Sequence, residues 1–122
     1  MDHRVWSHLR PNTATIEFQL LISTGDLPGG DLLIAKEMLQ HLPNKTVTEY
    51  IAVIAHRYRF ALLTDAIEPV ERPNTDSDFG DWRPLRLDRP PFSARGAMIF
   101  NYFPQNDSHF WKNGVFLLLG AT

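Results

Sequence analysis

The chain has 122 residues, 43% of them hydrophobic and 21% charged, a balance that suits one soluble globular domain with a modest core. Twelve basic and 14 acidic residues give a net charge of -2, so neither nucleic acid nor an anionic membrane is an expected partner. The absence of cysteine excludes disulfides, thiolate-bound zinc and a cysteine nucleophile, and fits a reducing, cytoplasmic setting.

Residues 1–15, "MDHRVWSHLRPNTAT", are polar, aperiodic and read as a poorly ordered lead-in, and they hold no apolar stretch of the secretory kind. "IEFQLLI", residues 16–22, is β-prone and is stopped by "STGDLPGG". "DLLIAK", residues 31–36, is the second expected strand, and "EMLQHL" has room for one or two helical turns before Pro43. A helix follows, capped by Asn44 or opened by a Thr46–Glu49 capping box, with Val47, Tyr50, Ile51, Ile54 and Tyr58 as its apolar stripe. "FALLT" then reads as a continuous apolar strand. Strand, helix and strand in succession form a βαβ unit, which implies two parallel strands joined by a crossover.

Residues 68–93 are rich in proline, arginine and acids, and are expected to form a long irregular loop with Trp82, Leu85, Leu87 and Phe92 docked on the body. "GAMIFNYFP" and "VFLLLG" are β-prone runs that predict an antiparallel pair, with Asn113-Gly114 as a turn signal between them. The run "VFLLLGA" is too short to span a bilayer. Residues 16–122 are therefore expected to form a single α/β domain in the order β-β-α-β-loop-β-β.

Functional side chains are densest in "KEMLQHLPN", at the exit of the second strand. In open parallel sheets, ligands sit beyond the carboxyl ends of the strands. If this stretch is helical, Glu37 and His41 share a face, as do Lys36 and Gln40. His41 is then a candidate base with Glu37 holding its tautomer. The competing reading is a solvated turn whose Met38 and Leu42 pack inward. Glu37 and His41 supply two metal ligands but no third stands nearby, so no metal is expected. His56 suits the carboxyl end of the helix dipole. Thr64 and Asp65 close the next strand and either bind a ligand or start a turn. Arg83, Arg86 and Arg89, among Trp82 and Phe92, either clamp an anionic or aromatic acceptor or pair with Asp81 and Asp88. No glycine-rich loop follows a strand to open a helix, so no phosphate-binding motif is present.

"LPGGDLLIAKEMLQHLPN" followed by "VTEYIAVIAHRYRFALLTD" resembles the central part of class I S-adenosylmethionine-dependent methyltransferases. The pattern is Leu-Pro, a spacer, Asp, an apolar strand, then an acid, Leu-Gln-His-Leu and Pro-Asn. "GDWRPLRLDRPPF" resembles a later loop of the same subset, and "KNGVFLLL" its closing strand. The resemblance implies a partial Rossmann-like methyltransferase sheet, with parallel strands, a crossover helix and a C-terminal antiparallel pair. It implies S-adenosylmethionine as cofactor and a small molecule as methyl acceptor. Glu37 and His41 would be catalytic, and Lys36 and Asp26 would face the cofactor. Thr64, Asp65, Trp82 and Arg83 would border the acceptor. The family's first strand, its glycine-rich turn and the acid ending its second strand find no match here. The chain is thus expected to represent the C-terminal half of such a domain, weak or inactive alone. The alternative is a non-catalytic remnant that pairs with itself or another chain through an exposed sheet edge. An unrelated small enzyme using Glu37 and His41 is a third reading.

Overall fold

The computed structural model of the chain describes residues 16–68, 72–104 and 112–121. The lead-in expected over residues 1–15 and most of the connector between the last two strands lie outside the described residues. The architecture is α/β. Strand β1 (Gly30–Lys36) is followed by helix α1 (Asn44–Arg57), β2 (Tyr58–Ile67), β3 (Gly96–Tyr102) and β4 (Lys112–Leu119). They form one mixed sheet in the order β1-β2-β4-β3. β1 and β2 are parallel, from Gly30 beside Tyr58 to Lys36 beside Thr64. β4 runs antiparallel to both β2 and β3.

The βαβ unit follows from the sequence pattern. Parallel neighbours need a crossover, and α1 supplies it with an apolar stripe. Val47 and Ile54 are buried, Tyr50 and Ile51 half-buried. The helix ends without a loop: Tyr58, the last residue of the expected stripe, is already in β2 and buried in the core. Asn44 is not the cap. The helix begins at Asn44, and its N–H donates to Asp76 of the long loop at 2.8 Å. An acid distant in sequence thus satisfies one of the open N–H groups at the helix start.

One face of the sheet carries the core. Ala61 and Leu63 of β2 and Phe116 and Leu118 of β4 meet Val47 and Ile54 of α1. Leu85 and Leu87 join them from the loop, as expected, while Phe92 is half-buried and Trp82 stays 40% exposed. Each fully buried aliphatic side chain here stabilises the fold by about 1.5–3 kcal/mol. Strand alternation sends Leu32, Ile34, Phe60 and Phe100 to the opposite face, where all four are exposed.

Two expectations are corrected. Residues 16–22 join no ladder among the described residues, and lead instead through a bend into a 3-10 turn at Thr24–Asp26. β-propensity is a fit to a neighbouring strand, and no strand among the described residues lies paired beside this run. Asn113-Gly114 is not a turn but lies inside β4, opposite Ala66 and Asp65 of β2. Glycine is needed there because a Cβ would stand 2.7 Å from the Met98 sulfur and 2.8 Å from Ile67 Cγ2.

Candidate functional site at the carboxyl ends of β1 and β2

β1 ends at Lys36, and the chain turns at Glu37 in the left-handed conformation, with φ of 54°. The Glu37 N–H donates to the Thr64 carbonyl at 2.6 Å, so the β1–β2 ladder reaches one residue past the strand. The left-handed residue and a single 3-10 turn, Leu39–His41, replace the helical turns expected here. Glu37 and His41 therefore do not share a helical face, and no hydrogen bond joins them. Glu37 Oε1 instead accepts from Asn113 Nδ2 of β4 at 2.9 Å, and the same amide lies 3.4 Å from the Tyr102 hydroxyl. His41 Nδ1 faces the Asp81 carbonyl at 3.1 Å. A carbonyl only accepts, so Nδ1 carries the proton and Nε2 keeps the lone pair of the neutral ring. Gln40 Nε2 is 3.5 Å from that nitrogen.

The next residue binds the two strand ends together. Gln40 is buried; its Oε1 accepts from the Ala66 N–H at 2.7 Å, and its own N–H donates to Asp65 Oδ1 at 3.1 Å. Asp65 does not close the strand. β2 continues two residues beyond it, and the side chain is 3% exposed. Burial pushes the Asp65 carboxyl up to about 7. The Gln40 N–H and the Arg83 charge oppose this rise, and the Glu37 charge adds to it.

The long loop returns to these strand ends. Gly80 N–H donates to the His41 carbonyl, Arg83 N–H to the Gln40 carbonyl and Leu85 N–H to the Ala66 carbonyl. Asn74 braces the loop from inside, accepting from Arg86 N–H and donating to the Arg86 and Pro90 carbonyls. Of the arginine pairings expected, Arg86–Asp88 forms at 2.7 Å. Arg83 behaves otherwise. It is 4% exposed, and none of its three guanidinium nitrogens has a hydrogen-bond partner. Burial pulls its guanidinium below the ordinary value, and the charges of Asp76 and Asp65 act against that pull.

The structure therefore gathers Glu37, His41, Thr64, Asp65 and Arg83 at one end of the parallel pair, with Lys36 exposed beside them. Asp26 is not among them. It lies on the turn before the amino end of β1, and the seven residues of that strand separate it from Glu37. That length is roughly 20 Å of extended chain. Its Oδ2 accepts from the Ile22 and Ser23 N–H groups, both at 3.0 Å, and these bonds hold its carboxyl below the usual range. A cofactor lying against Lys36 would thus not meet Asp26, so the described residues expected to hold S-adenosylmethionine do not converge.

Sequence reasoning missed one residue of the site and the burial of another. Asn113 was hidden by its turn-forming neighbour Gly114, although the apolar run after it marks a strand. Gln40, expected either beside Lys36 on a helical face or in a solvated turn, is instead buried, between Leu39 and the half-buried His41 and Leu42. Among the described residues no three His, Asp or Glu side chains come together in a metal-binding group, and no helix is long and apolar enough to cross a membrane. No family profile, curated protein or solved structure matches this chain.

Proposed function

We propose that this chain forms the acceptor side of an S-adenosylmethionine-dependent methyl-transfer site acting on a small molecule. The observation that carries the reading is the group of polar side chains at the carboxyl ends of β1 and β2. That is the position where open α/β sheets take their ligands. The resemblance of residues 26–120 to class I methyltransferases supports it independently of that geometry. So does the strand arrangement, a parallel pair followed by an antiparallel pair. S-adenosylmethionine would supply the electrophilic methyl group.

The roles of this chain's own residues follow from their contacts. Asn113 fixes one oxygen of Glu37 and leaves Oε2 as an acceptor. The Asp81 carbonyl holds the His41 ring with its proton on Nδ1, and the Nε2 lone pair faces the Gln40 amide at 3.5 Å, the contact a substrate proton would have to replace. Either group can take a proton from an acceptor hydroxyl or amine, and the main contribution of the site is to position that acceptor. Calorimetric titration of the purified chain with S-adenosylmethionine, up to about 1 mM, tests the reading. Weak, saturable heat supports it, and no saturable heat removes the methyltransferase reading.

A second reading is favoured by a different observation. Leu32, Ile34, Phe60 and Phe100 leave an apolar sheet face open, and the outer edge of β1 pairs with no strand among the described residues. A non-catalytic module that joins another chain through this face and edge fits both facts.

A further inference from the structure

Residues 16–22 and β1 are two halves of a contact that one chain does not make. "IEFQLLI" sets Ile16, Phe18, Leu20 and Ile22 in alternation with Glu17, Gln19 and Leu21, the pattern of a strand with one apolar side. It pairs with no strand among the described residues and leaves apolar side chains in water: Leu20 is exposed, and Ile22 is 88% exposed. Its end is tied elsewhere in its own chain. Ile22 N–H donates to Asp26 Oδ2, and the Gln19 side-chain amide donates to the Asp26 carbonyl. Arg57 of α1 fastens the same turn by donating to the Gly25 and Leu27 carbonyls.

β1 is the complementary half. It has seven residues, the same length as the 16–22 run, and it ends the sheet on one side. Its outer row of N–H and C=O groups meets no strand among the described residues, and such a row is a template for another chain. Nothing blunts this edge. β1 holds no proline, keeps one register along β2, and carries its charged residues, Asp31 and Lys36, near its two ends. The strand at the other side of the sheet, β3, has instead a bulge between Met98 and Phe100, a device that spoils an edge for pairing.

We infer that residues 16–22 of one copy of this chain add as an antiparallel strand to the outer edge of β1 in a second copy, which returns the same contact. Full overlap of the two runs sets Leu20 opposite Leu32 and Phe18 opposite Ile34, so apolar side chains meet as cross-strand pairs. A second copy is the partner because the chain itself carries the strand that fits its own edge. Two-fold exchange also makes the contact twice, which helps two short strands reach the roughly 1,200 Å² that a specific interface needs. This exchange rests on the reading of the β1 edge as a joining surface, and it names the partner and the segment that joins.

The chain has no cysteine, so introduced thiols report on this contact alone. Leu20→Cys and Leu32→Cys both replace exposed side chains; they are purified separately, mixed at about 100 µM and oxidised with diamide. Leu20→Cys mixed with Phe100→Cys, also at an exposed position, is the control. The expected result is a mixed disulfide between positions 20 and 32 that forms about tenfold faster than the control, and that slows when wild-type chain is added in excess. Equal rates for the two mixtures overturn the strand exchange. Hydrogen exchange of the wild-type chain needs no variant: the outward amides of β1 should exchange about tenfold more slowly at 100 µM than at 1 µM, and exchange that ignores concentration overturns the proposal. Sedimentation of the wild type separates the two failures. Association with equal cross-linking rates removes the exchanged strand and leaves a joining surface, whereas a monomer throughout removes both.

Discussion

Asp65 is a carboxyl placed where ionisation is costly. Its folded value is raised to about 7, so the folded chain holds this proton more tightly than the unfolded chain. The stability it contributes is fully present below the ordinary aspartate value and is lost as pH rises toward 7, on the order of 4 kcal/mol in all. Asp65→Asn keeps an acceptor for the Gln40 N–H and removes the charge. It is expected to raise the melting temperature at pH 8 by about 5 °C or more and to change it little at pH 4. Equal melting temperatures for the two proteins at pH 8 would show Asp65 to be unburdened by burial. Glu37 gives a second comparison. A side chain at φ of 54° carries roughly 1 kcal/mol of backbone strain that glycine avoids. Glu37→Ala and Glu37→Gly both lose the Asn113 bond, so in urea unfolding the glycine variant should be the more stable by about 1 kcal/mol. Retaining glutamate at such a position is what a functional carboxylate would require. The chemical character of these residues was legible in the sequence. Their pairings were not, because Glu37 meets Asn113 across 76 positions and Gln40 meets Ala66 across 26.

The elements were read more fully than the contacts between them. β1 and α1 came from local signals: a short apolar run with glycines before it, and a stripe at spacings of three and four. The failures were residues 16–22, which pair with no strand among the described residues, and Asn113-Gly114, where pairing with β2 outweighed turn propensity. The start of α1 shows the same limit. No side chain of its own caps it, and Asp76 arrives from 32 residues away. Asp76→Ala should speed hydrogen exchange at the Asn44 amide and leave the last turn near Arg57 unchanged. The bonds from Asn44 and Ser77 also lower the Asp76 carboxyl value, so this cap is present above the ordinary aspartate value and is lost as pH falls through the lowered one. Uniform faster exchange along the whole helix would instead mean that Asp76 supports the fold globally.

At the scale of the molecule, β1 is written for burial on both faces, and the described residues cover only one. Leu32 and Ile34 alternate with Leu33 and Ala35; the first pair is exposed and the second half-buried. Ile34, at 67% exposure, is the most direct probe of the open face. If that face joins chains, sedimentation should show concentration-dependent association at about 100 µM, and Ile34→Glu should abolish it without lowering stability. A wild-type chain that stays monomeric over that range would set the interaction reading aside.

The central claim is that the tips of β1 and β2, and not the opposite end of the sheet, receive ligand. Amide chemical-shift mapping with S-adenosylmethionine measures this directly. The account predicts saturable shifts confined to residues 36–41 and 64–66 and to Asn113. Shifts centred on Asp26 and Arg57, at the amino ends of the strands, or no saturable shift at all, would contradict it.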